Sequence, residues 1–503
     1  MRIGGNVISQ NFVVLSLGQL LSRMLAFAVT VQLTRVLLPD QYGAIVFATS
    51  VVLYVGIVVD LGFEALGPLE VARGLLPIRG IVQAVLTMRG ILVLPALVGL
   101  AAVTSILPMP GLTKTIILLY GLTLLPAALD ISWFFLGSRM MLPAMVADIL
   151  CQTLLAISIF FFVKTPGDAI LVPIALFACR CVSIAYLLVH FIRNVGPISF
   201  GIDLCLIKNL VPRALPLSGS AVVGRVIENF DILLVGLWIG AEATGLYGAS
   251  YRIVWMLILL SVSYYTALRP SLAQAYVNGF HTIENLLART MRISTAVAIG
   301  TAAGGIVLAK PLVELLFGKA YLGSVTPFQI LLIFFALHMI SRTYRVLLIS
   351  FNRQANDLRI MSAAAVVNVV LNIILIKRYG IAGSACANVG SEMLILLLNY
   401  ISTQVYIRKV PLGRHLWRPT IAAGGMIATL MAIHSLPVIV QVALGGCAYL
   451  AMLWAMRAIT PDDIRAIFKD DLQNKRDSKV AATDRTASKA VMAGAASHEA
   501  DVK

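Results

Sequence analysis

Apolar runs, most of them ~20 residues or longer, alternate with short polar turns along nearly the whole chain. They fall at 11–36, 44–66, 81–107, 114–136, 143–163, 168–192, 213–239, 247–269, 291–313, 325–350, 358–376, 382–404, 418–436 and 438–456. Each is close to the ~20 residues with which an α-helix crosses a bilayer, and none has the ~10-residue alternation of a barrel strand. The pattern predicts an all-α polytopic membrane protein with about 14 transmembrane helices. Pro437 marks a tight turn between the last two. A cytoplasmic linker at 197–212 is expected to join a first six-helix lobe (1–196) to a second (213–405), followed by an additional helix pair (406–457). Residues 458–503 carry too few bulky apolar side chains to offset the entropy of ordering, and are expected to form a disordered cytoplasmic tail.

One run departs from the pattern. Between 213 and 239, Arg225, Glu228, Asn229 and Asp231 fall within two helical turns near the middle of a stretch long enough to span. An ionisable group at that depth costs at least ~2.5 kcal/mol on insertion scales, so it usually faces a bundle interior or a wet cavity. The same stretch echoes the start of the chain. Arg23 and Arg225 are each followed, at the same interval, by a loop glycine, Gly43 and Gly245, and then by another apolar run. This repeat predicts two similar lobes facing each other around a central cavity.

Composition excludes a soluble fold: 59% of residues are hydrophobic, 12% charged, and mean hydropathy is +0.92, where soluble domains carry ~25% charge. The net charge of +16 is then read first as positive cytoplasmic loops. With the N-terminus inside, fifteen Lys and Arg fall in inner loops and six in outer ones, which places both termini in the cytoplasm. The inner loops 270–290 and 405–417 are amphipathic and are expected to lie along the membrane surface. Aromatic-basic interleaving is absent, so no nucleic-acid partner is expected. The first apolar run is too long for a signal peptide and is expected to be retained as the first helix. Six scattered cysteines, with Cys179 and Cys181 in a C-x-C inside a span, read as packing thiols. No metal site, Walker loop or nucleophile–base spacing is present. A non-enzyme without cofactor is expected, driven by a gradient.

Four stretches resemble polysaccharide flippases of the Wzx type, within the superfamily of multidrug, oligosaccharidyl-lipid and polysaccharide exporters. They are Ser22–Arg73, with a loop YG, then DLG, then R; the 213–248 stretch followed by ATGLYGASYRIV (Ala243–Val254); LFGKAYLGS (Leu316–Ser324); and VVNVVLNIILIKRYGIAGSACANVGSE (Val366–Glu392). The last helix pair departs from the roughly twelve spans of many members and is typical of other branches, lipid II flippases included.

The resemblance implies alternating access by two pseudo-symmetric bundles and a polyprenyl-diphosphate-linked oligosaccharide as substrate. O-antigen, capsule or exopolysaccharide synthesis at a bacterial inner membrane would be its setting. A polysaccharide polymerase, a co-polymerase and membrane lipids would be its partners. A guanidinium suits a diphosphate because its planar fork donates two parallel hydrogen bonds and stays charged. Arg23 and Arg225, at equivalent repeat positions, are therefore assigned to the diphosphate, one from each lobe. Arg89 and Arg180, with no acid within a turn, join them as cavity-facing candidates. Asn368 and Asn372 share a helix face and are read as interhelical bonds or sugar contacts. Glu228, Asp231 and Glu392 are candidates for ion or proton coupling, or for balancing the arginines. Asp60 is expected to cap or gate the inner mouth. Arg342 and Arg345, on one face with His338, are read as anchors at the cytoplasmic end. Gly62, Gly67, Pro68, Pro212 and Pro216 are expected bending points. The competing readings are a cation-coupled multidrug exporter, which a net basic cavity disfavours, a lipid II flippase, and a non-transporting scaffold of a polysaccharide assembly complex.

Overall fold

Side chains that a soluble protein would hide stay exposed here on the outer faces of the helices. Val98, Ile106, Phe161, Phe162, Val366 and Leu450 are among them, as expected where the surroundings are hydrocarbon. The computed structural model describes residues 5–198, 201, 203–278, 280–351, 353–406 and 413–458. Their regular structure is helical throughout. In chain order the helices are α1 (Gly5–Val36), α2 (Pro39–Asp60), α3 (Phe63–Arg73), α4 (Ile78–Ile106), α5 (Gly111–Leu122), α6 (Leu124–Ala128), α7 (Ser132–Gly137), α8 (Met141–Phe162) and α9 (Leu171–Asn194). They continue with α10 (Leu204–Trp238), α11 (Ala241–Asn278), α12 (Phe280–Val307), α13 (Ala309–Phe317), α14 (Val325–Ser350), α15 (Gln354–Tyr406), α16 (Gly413–Ala432) and α17 (Val438–Ala455). Ten segments among the described residues are long and apolar enough to cross a membrane. The protein is a multi-pass membrane protein.

The ten leave out α1, α10 and α16, and part of the difference from about 14 has visible causes. The segment Gln354–Val405 counts once, although Gly380, at φ 58 and ψ −135, folds α15 into two arms. The RYG motif is that hairpin turn. A Cβ on the nearby Gly383 would lie 2.1 Å from Leu375 O, so the arms meet backbone to backbone there. And α10 carries Lys208, Arg213, Arg225, Glu228 and Asp231, which interrupt its apolar windows.

The expected linker also differs. Helix α10 begins at Leu204, with Asp203 accepting the Leu206 N–H as an N-cap, and runs unbroken through Pro212 and Pro216. Its first half packs on the N-terminal helices: Leu210 and Ala214 share a core cluster with Phe63, Ile81 and Trp133. Its second half packs in the C-terminal half, where Leu234 and Val235 meet Ile376. The helix therefore crosses from one half to the other. Residues 270–278 end α11 and 280–290 begin α12, so the amphipathic stretch is helical. The tail at 459–503 and the stretch 407–412 lie outside the described residues.

The DLG motif is a helix break. Leu61 at φ 53 and Gly62 at φ 87 are both left-handed, a conformation that costs a non-glycine residue ~1–2 kcal/mol. Asp60 holds the break together by accepting the Gly62 and Glu64 N–H groups at 3.2 and 3.1 Å. A Cβ at Gly62 would sit 2.5 Å from Ala214 O on α10. Pro68 lies inside a continuous α3, so the bend falls at Leu61–Gly62 instead.

At the other end of α2 the two halves touch through their repeated glycines. A Cβ on Gly43 would lie 1.7 Å from Ala241 O, and one on Gly245 1.9 Å from Pro39 O. Only glycine permits this approach. Around it, Arg35 donates to Leu315 O at 2.6 Å and Leu316 O at 3.2 Å, and Tyr321 donates to Leu37 O at 3.2 Å. The halves are thus closed together at this end. The C-terminal pair α16 and α17 packs on α12, with Tyr449 donating to Ala296 O at 2.8 Å.

Gly245→Val should overpack this contact, at ~1–3 kcal/mol, and part the halves there. Spin labels on Leu38 and Leu315, both exposed, should report a longer separation in the variant. An unchanged distance would show that the glycine contact does not hold the end closed.

Candidate substrate cavities

The break after α2 and a second break between α6 and α7 face each other across α4. Arg89 of α4 donates to the Asp60 carboxylate and, at 2.8 Å, to the backbone carbonyl of Asp130, which also accepts the Trp133 indole N–H at 3.1 Å. Asp130 Oδ1 in turn accepts the Ser132 N–H at 2.7 Å. Arg89 is 4% exposed and the Asp60 side chain 24%, so the guanidinium is buried against a half-buried carboxylate. Around it lies a cavity of about 340 Å³ that also takes Glu64, Arg180 of α9 and Arg225 of α10 into its wall. Arg180 is half-buried and makes no hydrogen bond or ion pair among the described residues.

Helix α10 divides this cavity from a second one. Arg225 faces the first; Gly224 and Glu228 line the second. Arg225 donates to Glu228 at 3.3 Å, an i,i+3 pair with side chains 46% and 38% exposed. Tyrosines fix the backbone on either side: Tyr54 of α2 donates to Arg225 O at 3.1 Å, and Tyr251 of α11 donates to Glu228 O at 2.7 Å. One turn on, Asp231 is 1% exposed. Its carboxylate accepts from Tyr247 at 2.6 Å and Asn388 at 2.8 Å, and it has no ion pair among the described residues. Behind Asn388 the chain of bonds continues. Asn368 donates to Asn388 and to Ser391, both at 3.0 Å; Asn372 donates to Asn368 at 3.0 Å; Ser384 donates to Asn372 at 3.1 Å. This network stitches α10, α11 and both arms of α15.

The second cavity, of about 280 Å³, lies between α10, α11, α14 and the second arm of α15. Trp255, His338, Arg342 and Glu392 face it. A third cavity, of about 530 Å³ and lined mostly by aliphatic side chains and glycines, is bounded by α11, α12, α14 and the C-terminal pair.

The family described as "Polysaccharide biosynthesis protein" matches residues 8–276, more than half of the 503. The chain belongs to this family. A probable low-salt glycan biosynthesis flippase, Agl15 of Haloferax volcanii, is 24% identical over 196 residues. That match spans 38% of this polysaccharide biosynthesis protein and 41% of the relative's own length. The fold is shared with lipid II flippase MurJ in an inward closed conformation, at a TM-score of 0.69 and 14% identity over 92% of this chain and 99% of that one. It is shared too with an inward-facing multidrug resistance MATE family transporter of the MOP superfamily, at a TM-score of 0.61 and 16% identity over 76% and 95%.

In this family member, Asp60, Arg89, Arg180 and Arg225 come together in one cavity. Glu228 and Glu392 line the second. Asp231, Asn368 and Asn372 meet in the buried network, off both cavities. Arg23 does not join Arg225: it is exposed and outside the first cavity, because α1 lies against α8, where Ser22 donates to Asp148 at 2.6 Å. Nor is the first cavity net basic. Three arginines face three carboxylates, Asp60, Glu64 and Asp130, because the breaks in α2 and before α7 turn acids inward. Arg345 is paired with Asp357 at 2.7 and 3.0 Å. Trp255 was missed as a wall residue, and His338 as more than an anchor's neighbour. Their spacing from Tyr251 and Phe334 by one helical turn is the only trace in the chain.

Removing one partner of a buried pair typically costs ~3–5 kcal/mol, whereas an unpaired buried charge is itself a cost. Arg89→Ala should therefore lower the melting temperature in detergent, while Arg180→Ala should leave it unchanged or raise it. Melting curves that fall equally for both would make Arg180 a structural residue.

Proposed function

We propose that this protein carries a lipid-linked oligosaccharide between membrane leaflets by alternating access, with its diphosphate held by the first cavity. The observation that carries the reading is Arg180. A half-buried guanidinium at membrane depth, beside Arg225 and without an acid of its own, is a site for an anion brought from outside the protein. The aliphatic third cavity offers the polyprenyl tail an apolar berth next to the helix bundle. The charge bias of the loops orients the closed glycine end outward and both termini toward the cytoplasm, with the inner membrane of a bacterium as the setting. The halves would then rock about α10 to open the glycine end and release the substrate to a polymerase.

The energy would enter at Asp231. A carboxylate buried without a cation favours binding a proton or a small cation, and its bonds to Asn388 and Tyr247 tie that event to α11 and α15. This selects Asp231 from the three acids read as coupling candidates, since Glu228 is held by Arg225 and Glu392 lines the second cavity. A lipid II substrate is the second reading, favoured by the α16–α17 pair and the fold likeness covering 92% of the chain. The two readings differ in the sugar, not in the diphosphate.

Each charge-assisted bond lost costs ~1.5–3 kcal/mol. In proteoliposomes, Arg180→Ala with Arg225→Ala should cut translocation of a polyprenyl-diphosphate oligosaccharide by ~100-fold or more at normal insertion. Full translocation by the inserted double variant would remove the diphosphate role. Asp231→Asn keeps acceptors for Tyr247 and Asn388 but cannot ionise. Its translocation should no longer respond to an imposed proton or sodium gradient, and a retained response would move the coupling elsewhere.

A further inference from the structure

We infer that the second cavity is a monosaccharide subsite, which contacts the first sugar of the cargo while the arginines of the first cavity hold its phosphates. The inference rests on the lipid-linked glycan reading and deepens it.

Four helix faces build the site. On α11, Tyr247, Tyr251 and Trp255 recur every four residues and form a ladder, with ring centroids 5.9 and 6.1 Å apart. On α14, Phe334, His338 and Arg342 keep the same spacing, with Phe334 tilted against the His338 ring at 5.8 Å. The second arm of α15 adds Glu392, and α10 adds Glu228. An aromatic wall facing carboxylates is the chemistry that holds a pyranose. The C–H face of the ring lies on an indole, and its hydroxyls donate to carboxylate oxygens in charge-assisted bonds.

Unused bonding capacity points into this space. Glu392 is 5% exposed and accepts no hydrogen bond from the described residues. Its Oε2 lies 3.3 Å from His338 Nδ1, yet that nitrogen is buried without an aligned partner. The Trp255 indole N–H is likewise without a hydrogen bond among the described residues. Buried polar groups in native proteins are nearly always satisfied, and His338 Nδ1 is one that is not; beside it the Glu392 carboxylate and the Trp255 indole N–H belong to the same cavity lining, and together the three mark a ligand with hydroxyls. The surrounding polar residues are already occupied: Asn388 by Asp231, Ser391 by Asn368, Arg345 by Asp357. At about 280 Å³, the cavity falls just below the ~300–1,000 Å³ of ligand pockets, which fits one ring rather than a chain. Glu228 and Glu392 are matched in the lining by Arg342 and Arg345, and this balance of charge fits a neutral hexose.

Position makes the two cavities one binding surface. Arg225 and Glu228 are bonded to each other across α10 and face opposite sides. A glycosyl diphosphate laid across this helix would place phosphate by Arg225 and its first sugar by Glu228.

The test uses purified full-length protein in detergent and two probes, neutral methyl hexopyranosides and inorganic diphosphate, read by tryptophan fluorescence and by calorimetry. At least one of the methyl glucoside, galactoside and mannoside should bind saturably. The fluorescence change should vanish in Trp255→Phe, and affinity should fall at least tenfold in Glu392→Gln and in His338→Gln. Glu228→Gln provides a further variant should either of these fail to fold. If diphosphate binds but no glycoside does, or if glycoside affinity is the same in all folded variants, the sugar subsite is overturned and the transport reading stands. If a glycoside binds as described but diphosphate does not, the subsite stands and the arginine assignment fails. Binding of neither overturns both.

Discussion

Taking an arginine or a carboxylate into hydrocarbon costs at least ~2.5 kcal/mol on insertion scales, so every charge at depth must find water, a partner or a ligand. Helix α10 shows all of these within seven residues. Arg225 reaches a cavity, Glu228 meets Arg225 and a second cavity, and Asp231 is satisfied by a tyrosine and an asparagine. The rest of the bundle arranges itself around those demands. The break at Leu61–Gly62 exists where Asp60 must both cap α3 and meet Arg89. The asparagine chain of α15 exists where Asp231 needs donors. Glycines stand where the neighbouring backbone comes too close for anything else.

Much of this was legible in the chain. Span positions follow from hydropathy alone. The DLG and RYG motifs became a capped break and a hairpin turn, both enforced by backbone conformations that glycine alone adopts cheaply. Arg89, Arg180 and Arg225 could be singled out because no residue within a turn neutralises the first two and the third sits in a polar cluster. What the chain did not disclose is pairing over distance. Asp60 and Arg89 are 29 positions apart, and Glu70 and Arg213, also paired, are 143 apart. Nothing local encodes either. Arg23 shows the converse. Its repeat position matched that of Arg225, but α1 finds its partner in α8, and similarity of sequence did not carry similarity of surroundings.

The second cavity was illegible for the same reason. Its faces come from α10, α11, α14 and α15, which are scattered over more than 160 residues. Each contributes a stripe that, read alone, is an ordinary buried helix face. Only their convergence leaves an indole, an imidazole and a carboxylate open to one small space. The two polar cavities differ in chemistry as well as place. One presents three guanidinium groups among three carboxylates, the other aromatic rings beside two glutamates.

The path of α10 has a mechanical consequence. Its first half is embedded among the N-terminal helices, and its second half lies between α2 and the C-terminal ones. At 35 residues and 1.5 Å per residue it is a rod of roughly 50 Å. Any rotation of one half against the other must pass through this rod as flexure, and little side-chain packing resists it at Gly219 and Gly224, where a Cβ would meet open space. The fulcrum then adjoins the polar cluster that begins at Arg225. Load and leverage coincide: whatever rests on Arg225 and Glu228 stiffens the pivot itself, so cargo acts on the hinge directly and needs no relay through the bundle.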